Sequence, residues 1–141
     1  MNRELLIQSS SSGSQIALLE EQRLTEFHEE TMNEGFLVGD IYLGKVRKTL
    51  QGLNAAFVDI GHEKDAFLHY LDLGPNFPTL IDFVDKAYRQ RLNTSRLARF
   101  KFKDELDKNG KITDVLQPQQ PIVVQLMKEP ISTKGPRMSS E

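Results

Sequence analysis

GDIYLGKVRKTLQGLNAAFVDIGHEKDAFLH, residues Gly39 to His69, is the stretch on which the fold turns. It contains three apolar, β-prone runs separated by glycine-containing turns, which predicts three consecutive strands. Gln51-Gly52 lies between the first two runs and makes them a hairpin. Gly44 inside the first run weakens a strand unless the chain bulges or coils tightly there, and a small closed barrel needs such a kink. Parity orders the second hairpin. Ala56 and Val58 share one face, and Ala55, Phe57 and Asp59 the other. Ala66 and Leu68 likewise oppose Asp65, Phe67 and His69. Pairing Val58 with Ala66 unites the aliphatics and sets Phe57 opposite Phe67, leaving Ile60–Lys64 as the loop with Gly61 free for positive φ.

An outward aromatic pair on a small sheet suits the stacking of flat ligands such as bases. The competing reading turns both rings into the core and the alanines outward, as aromatics usually lie.

Upstream, Glu4–Gln8, Gln15–Leu19 and Arg23–Glu29 read as three short strands turning at Ser9–Ser14 and Glu20–Gln22, with Thr31–Leu37 as a linker. Downstream, Gly74-Pro75 and Pro78 break the chain. Leu80, Val84, Ala87 and Tyr88 then recur at helical spacing and predict a helix over Thr79–Gln90. Arg91–Lys108 is too charged to assign between helix and mobile loop, and Asn109-Gly110 is a turn. Ile112–Leu116 is a short element, Pro121–Lys128 a strand, and Ile131–Ser139 one more, pairing back across Glu129-Pro130. The chain stops at Glu141 without a stop signal, as a truncated segment would.

The 141 residues suffice for one ordinary domain, or a small domain with part of another, and 27% of them are charged. No run approaches a membrane span, the first residues are too polar for a signal peptide, and without cysteine there is neither a disulfide framework nor a thiolate metal site. A cytoplasmic protein is expected. The net charge of −2 hides strong polarisation. Lys86, Arg89, Arg91, Arg96, Arg99, Lys101 and Lys103 form an acid-free basic run interleaved with Tyr88, Phe100 and Phe102, whereas residues 20–34 are glutamate-rich. The run has three readings: a solvated helix face, a secondary contact with RNA phosphates, or docking to an acidic surface.

GDIYLGKV, NAAFVDIG and DAFLHY together resemble the S1-type RNA-binding domain, a five-stranded OB barrel. With Arg3-Glu4-Leu5-Leu6-Ile7 at one end and VVQLMKEPISTKGPRMSS at the other, the chain resembles the N-terminal part of the ribonuclease E/G family of bacterial endoribonucleases. Leu73 to Gln120 departs from the family pattern. The resemblance implies a mainly β chain with a helical insert, in which an S1-type OB-fold barrel is inserted into an RNase H-like domain. Residues 1–37 would be strands of the outer domain, 38–128 the barrel with an insert at about 74–110, and 129–141 the return segment. It also implies that Phe57, Phe67 and Lys134 lie along the RNA path. The family's catalytic aspartates, which hold Mg²⁺, would lie beyond this chain, so no catalytic residue, metal ligand or cofactor is expected within it. The parent is expected to be a homo-oligomeric Mg²⁺-dependent endoribonuclease in RNA processing and decay.

Other chemistries are weakly represented. Ser132-Thr133-Lys134-Gly135 lacks the order of a phosphate loop. His62, Glu63, Asp65 and His69 form no metal-ligand pattern and suit a polar hairpin tip. His28 has no nucleophile or base partner. The expected function is therefore single-stranded RNA binding, with Phe57 and Phe67 stacking bases and Lys45, Lys134 and Arg47 neutralising phosphates. The alternative is a structural or protein-interaction module whose barrel face is covered by another subunit.

Overall fold

A computed structural model describes residues 2–31, 35–92 and 96–141. The chain divides into two compact units, residues 1–35 and 36–141. The expected linker at 31–37 falls partly on residues 32–34, and the highly charged stretch partly on 93–95, both outside the described residues.

The first unit is an antiparallel meander of β1 (Arg3–Ser10), β2 (Gly13–Glu20) and β3 (Arg23–Thr31). These are the three strands expected, each longer by a few residues. The β2–β3 turn carries Glu21 and Gln22 at φ 49° and 65°, the left-handed pair that a two-residue hairpin needs to match strand twist. Apolar side chains occupy both faces: Leu5 pairs with Leu18 and Ile7 with Ile16 on one, and Leu6, Ala17 and Phe27 align on the other.

The second unit is a closed barrel, ordered β4-β5-β6-β8-β7 and back to β4. Its strands are β4 (Ile41–Leu50), β5 (Ala55–Asp59), β6 (Ala66–Leu73), β7 (Pro121–Lys128) and β8 (Arg137–Ser140). A five-stranded closed barrel with a helix between its third and fourth strands is consistent with an OB fold. All pairings are antiparallel except β6 with β8. The register agrees with the parity argument, with Val58 opposite Ala66 and Phe57 opposite Phe67. Val46, Ala56, Val58, Ala66, Leu68, Ile122, Val124, Leu126 and Met138 fill the interior. Gly44 permits the wrap: a Cβ there would lie 2.7 Å from Val58 Cγ1 and 2.9 Å from the Asp59 carbonyl oxygen.

Three expectations shift. The fifth strand, β8, lies within 129–141, so the barrel extends past the expected boundary at Lys128. Of the strand expected at Ile131–Ser139 only Arg137–Ser140 forms, because Ile131 and Lys134 close a tight turn on each other instead. Helix α1 runs Phe77–Tyr88, starting before Pro78 rather than after it. Proline in the first turn lacks only an amide that has no helical partner there. The helix ends where Gln90 adopts φ 55° and the Arg91 amide donates to the Lys86 carbonyl, a left-handed cap made without glycine.

The rest of the insert is pinned to the barrel. The Tyr70 hydroxyl donates to the Asp107 carbonyl. Asn54, at φ 48°, donates to the Gly110 carbonyl and accepts the Ile112 amide at 2.7 Å. That amide opens α2 (Ile112–Val115), the short element expected before Pro118.

Candidate nucleic-acid interface

One row of side chains crosses the outer face of the barrel. The register aligns Lys48 of β4 with Phe57 of β5, Phe57 with Phe67 of β6, and Phe67 with Arg137 of β8. The two rings meet edge to face, with centroids 6.0 Å apart and planes at 70°. Both are partly exposed, whereas Ala56, Val58, Ala66 and Leu68 are buried. The reading in which the phenylalanines fill the core therefore fails: the narrow barrel has room for small and aliphatic side chains on that strand pair. His69 continues the face, its ring 6.5 Å from that of Phe67, and its Nδ1 accepts the Leu71 amide at 3.0 Å.

The segment from Glu129 to Pro136 forms a wall beside this row. Phe57, Phe67, Lys128, Ile131, Lys134 and Arg137 are among the residues lining a cleft of about 640 Å³. Close backbone contact holds the wall in place. The Pro136 carbonyl accepts the Phe67 amide at 2.8 Å, and Lys64 donates its ammonium to the Ser132 carbonyl. At Gly135 a Cβ would lie 2.1 Å from the Asp65 carbonyl oxygen, so only glycine permits the approach. Ser132 takes φ 48° in the turn that presents Lys134. Phe57, Phe67 and Lys134, distant in sequence, thus share one cleft.

The other cations expected here have different surroundings. Arg47 is held by two carboxylates, Asp59 at 2.9 Å and Asp65 at 3.5 Å. Lys45 is exposed opposite Asp59 in the register. Arg137 makes a two-pronged contact with Asp72, both bonds at 3.1 Å.

Lys48 was missed. Its ammonium sits 5.4 Å from the centroid of Phe57. Plain alternation from the buried Val46 would send Lys48 inward and only Arg47 outward. The register shift between Val46 and Lys48 puts Thr49, not Lys48, opposite buried Ala56. A lysine at an inward parity position was itself the available signal, since an unpaired buried ammonium is prohibitively costly.

Three cations of the basic run 86–103 are tied down within the insert. Lys86 and Arg89 pair one turn back with Asp82 and Asp85 at 2.8 and 2.9 Å, and Lys103 approaches Asp82 at 3.6 Å. Lys86 also lies 5.0 Å from the centre of the Phe100 ring, which packs edge-on against Phe83. Burial raises the Asp82 pKa, but Lys86 and Lys103 outweigh it and hold the carboxyl below its ordinary value. The side chains of Arg91, Arg99 and Lys101 make no ion pair among the described residues, and Arg96 is exposed nearby. His62 of the β5–β6 loop stands edge-on to Phe36 at 4.2 Å.

No protein-family model matches the chain. Individual proteins do. It is 35% identical over 138 residues to ribonuclease G of Haemophilus influenzae, covering 98% of this chain and 24% of that protein. It is 31% identical over 141 residues to ribonuclease G of Escherichia coli K12, covering all of this chain and 25% of the relative. Ribonuclease E of a Nostoc species is 41% identical over 103 residues, covering 72% of this chain and 11% of the relative. The chain belongs to the ribonuclease E/G family. It spans about a quarter of the length of its ribonuclease G relatives.

Proposed function

We propose that the barrel is an S1-type domain that binds single-stranded RNA across Phe57 and Phe67, as the RNA-holding part of an endoribonuclease. The observation that carries this is the cleft in which the two partly exposed rings face Lys134, in a chain whose relatives are named ribonucleases. Bases would stack on the rings, each such contact contributing about 1–3 kcal/mol. Lys134 and Lys45 would neutralise phosphates. Sequence preference should be weak, because stacking and charge read little base identity. The contribution to cleavage is positioning, which presents RNA to a separate nuclease centre.

Mg²⁺ would support phosphodiester hydrolysis in the whole protein. Among the described residues no group of three or more His, Asp or Glu side chains could hold a metal ion, so no step is assigned to metal in this chain. We assign β1–β3 to an RNase H-like sheet on the strength of their two apolar faces, since a sheet of that kind buries both sides. Arg91, Arg96, Arg99 and Lys101, beside the exposed Tyr88 and Phe102, would form the secondary RNA contact, with Lys86, Arg89 and Lys103 holding the insert together. A cytoplasmic, homo-oligomeric parent completes the reading. No described helix is long and apolar enough to cross a membrane.

The test is fluorescence anisotropy of a labelled single-stranded RNA of about ten nucleotides, a length within the site sizes of such folds, with wild type and the Phe57→Ala/Phe67→Ala double variant. Loss of binding in a folded double variant supports the reading. Retained binding, or a changed oligomeric state with unchanged affinity, transfers the face to a protein-interaction role.

A further inference from the structure

We propose that Lys48 is a phosphate-binding residue of the aromatic row, delivered there by the bulge at Arg47. The inference rests on the RNA-binding reading above and adds a contact to it.

The bulge sets two cations side by side on one exposed edge and treats them differently. Arg47 turns to Asp59 and Asp65, which consume its charge. Lys48 has no carboxylate within ion-pair distance among the described residues, and its ammonium instead lies over Phe57. At the opposite end of the row Arg137 is paired with Asp72. The aromatic pair is therefore flanked by one ion-paired cation on β8 and, on β4, one without a carboxylate partner among the described residues. A cation resting on an exposed ring gains only about 0.5–1 kcal/mol, so moving it aside costs little. A base stacking on Phe57 would displace the ammonium from the ring face and bring a phosphate within its reach. That exchanges a weak contact for a charge-assisted one. The strand would then run from a free charge at Lys48, over Phe57 and Phe67, towards Lys134.

The experiment is a titration of the full chain with the same labelled RNA at several salt concentrations, comparing wild type, Lys48→Met, Lys48→Arg and the double phenylalanine variant. Methionine keeps the length of the stem, and thermal unfolding verifies each fold. Lys48→Met is expected to bind several-fold more weakly at low salt and to lower the log–log salt slope by about 0.7, one single-strand phosphate contact. Lys48→Arg should restore the slope. An unchanged slope for Lys48→Met, or tighter binding, overturns the inference: the lysine would then only cover the ring. If the double phenylalanine variant binds as well as wild type, the stacking reading fails instead. Wild type without measurable affinity would overturn both.

Discussion

Asn54 shows how much one side chain can carry. It holds φ 48° at the end of the 3₁₀ turn Gln51–Leu53, donates to the Gly110 carbonyl and accepts the Ile112 amide. Asn54→Ala removes two hydrogen bonds and replaces a residue that tolerates the left-handed region with one that does not, with an expected loss of about 2–4 kcal/mol. Asn54→Gly should recover the backbone part alone, and denaturant midpoints for the pair separate the contributions. Nothing in the local pattern marked Asn54, because its partners are more than fifty residues away. Gly44 was legible: a glycine inside a strand signals close backbone approach. Gly44→Ala would press a methyl group against Val58 and the Asp59 carbonyl, costing about 1–3 kcal/mol by the same denaturant assay.

Among the elements, α1 and its insert depend on charge. The Asp82 carboxyl is held below its ordinary value of 3.8. A depressed folded-state pKa contributes stability that is present above the unfolded value and is lost as pH falls through the folded one. The contacts of Asp82 with Lys86 and Lys103 should therefore persist at neutral pH and fail below about pH 4. Protection factors of the amides in residues 79–92 and 100–104, corrected for the pH dependence of intrinsic exchange, should fall over that range in wild type. In Asp82→Asn the same amides should be less protected at pH 7 and respond less to acid. A flat wild-type profile would contradict the pairing. The basic run looked acid-free because its counter-charges, Asp82 and Asp85, precede it by one helical turn. Linear composition cannot separate a cation that faces solvent from one folded back on its own helix.

For the whole molecule, the division into two units predicts unequal stability. Among the described residues the buried core, from Val46 to Met138, lies in the barrel unit. The β1–β3 unit buries none of its described residues fully, and it leaves Leu5, Leu6, Ile7, Leu24 and Phe27 more than half exposed. A chain of residues 36–141 should unfold cooperatively and bind RNA within about twofold of the full chain, since the cleft and its walls lie inside that unit. Amide protection in β1–β3 of the full chain should be far below that of the barrel, because a three-stranded sheet with open edges buries little of itself. Equal protection in a dilute monomer would contradict this.

The sequence by itself determined the hairpins and the register that sets the two rings opposite each other, because these follow from alternation and short turns: Val58 with Ala66 entails Phe57 with Phe67. The tertiary structure decided what depends on backbone segments distant in sequence meeting in space. It closed the barrel with β8, and it set Lys134 beside the rings through the fit of Gly135 under the β5–β6 loop. It committed Arg47 and Arg137 to carboxylates and turned Lys48 outward at a bulge. The physical reason is range. Side-chain parity is a property of neighbours along one chain. A bulge, a shared cleft or an ion pair depends on which partner strand arrives, and at what register.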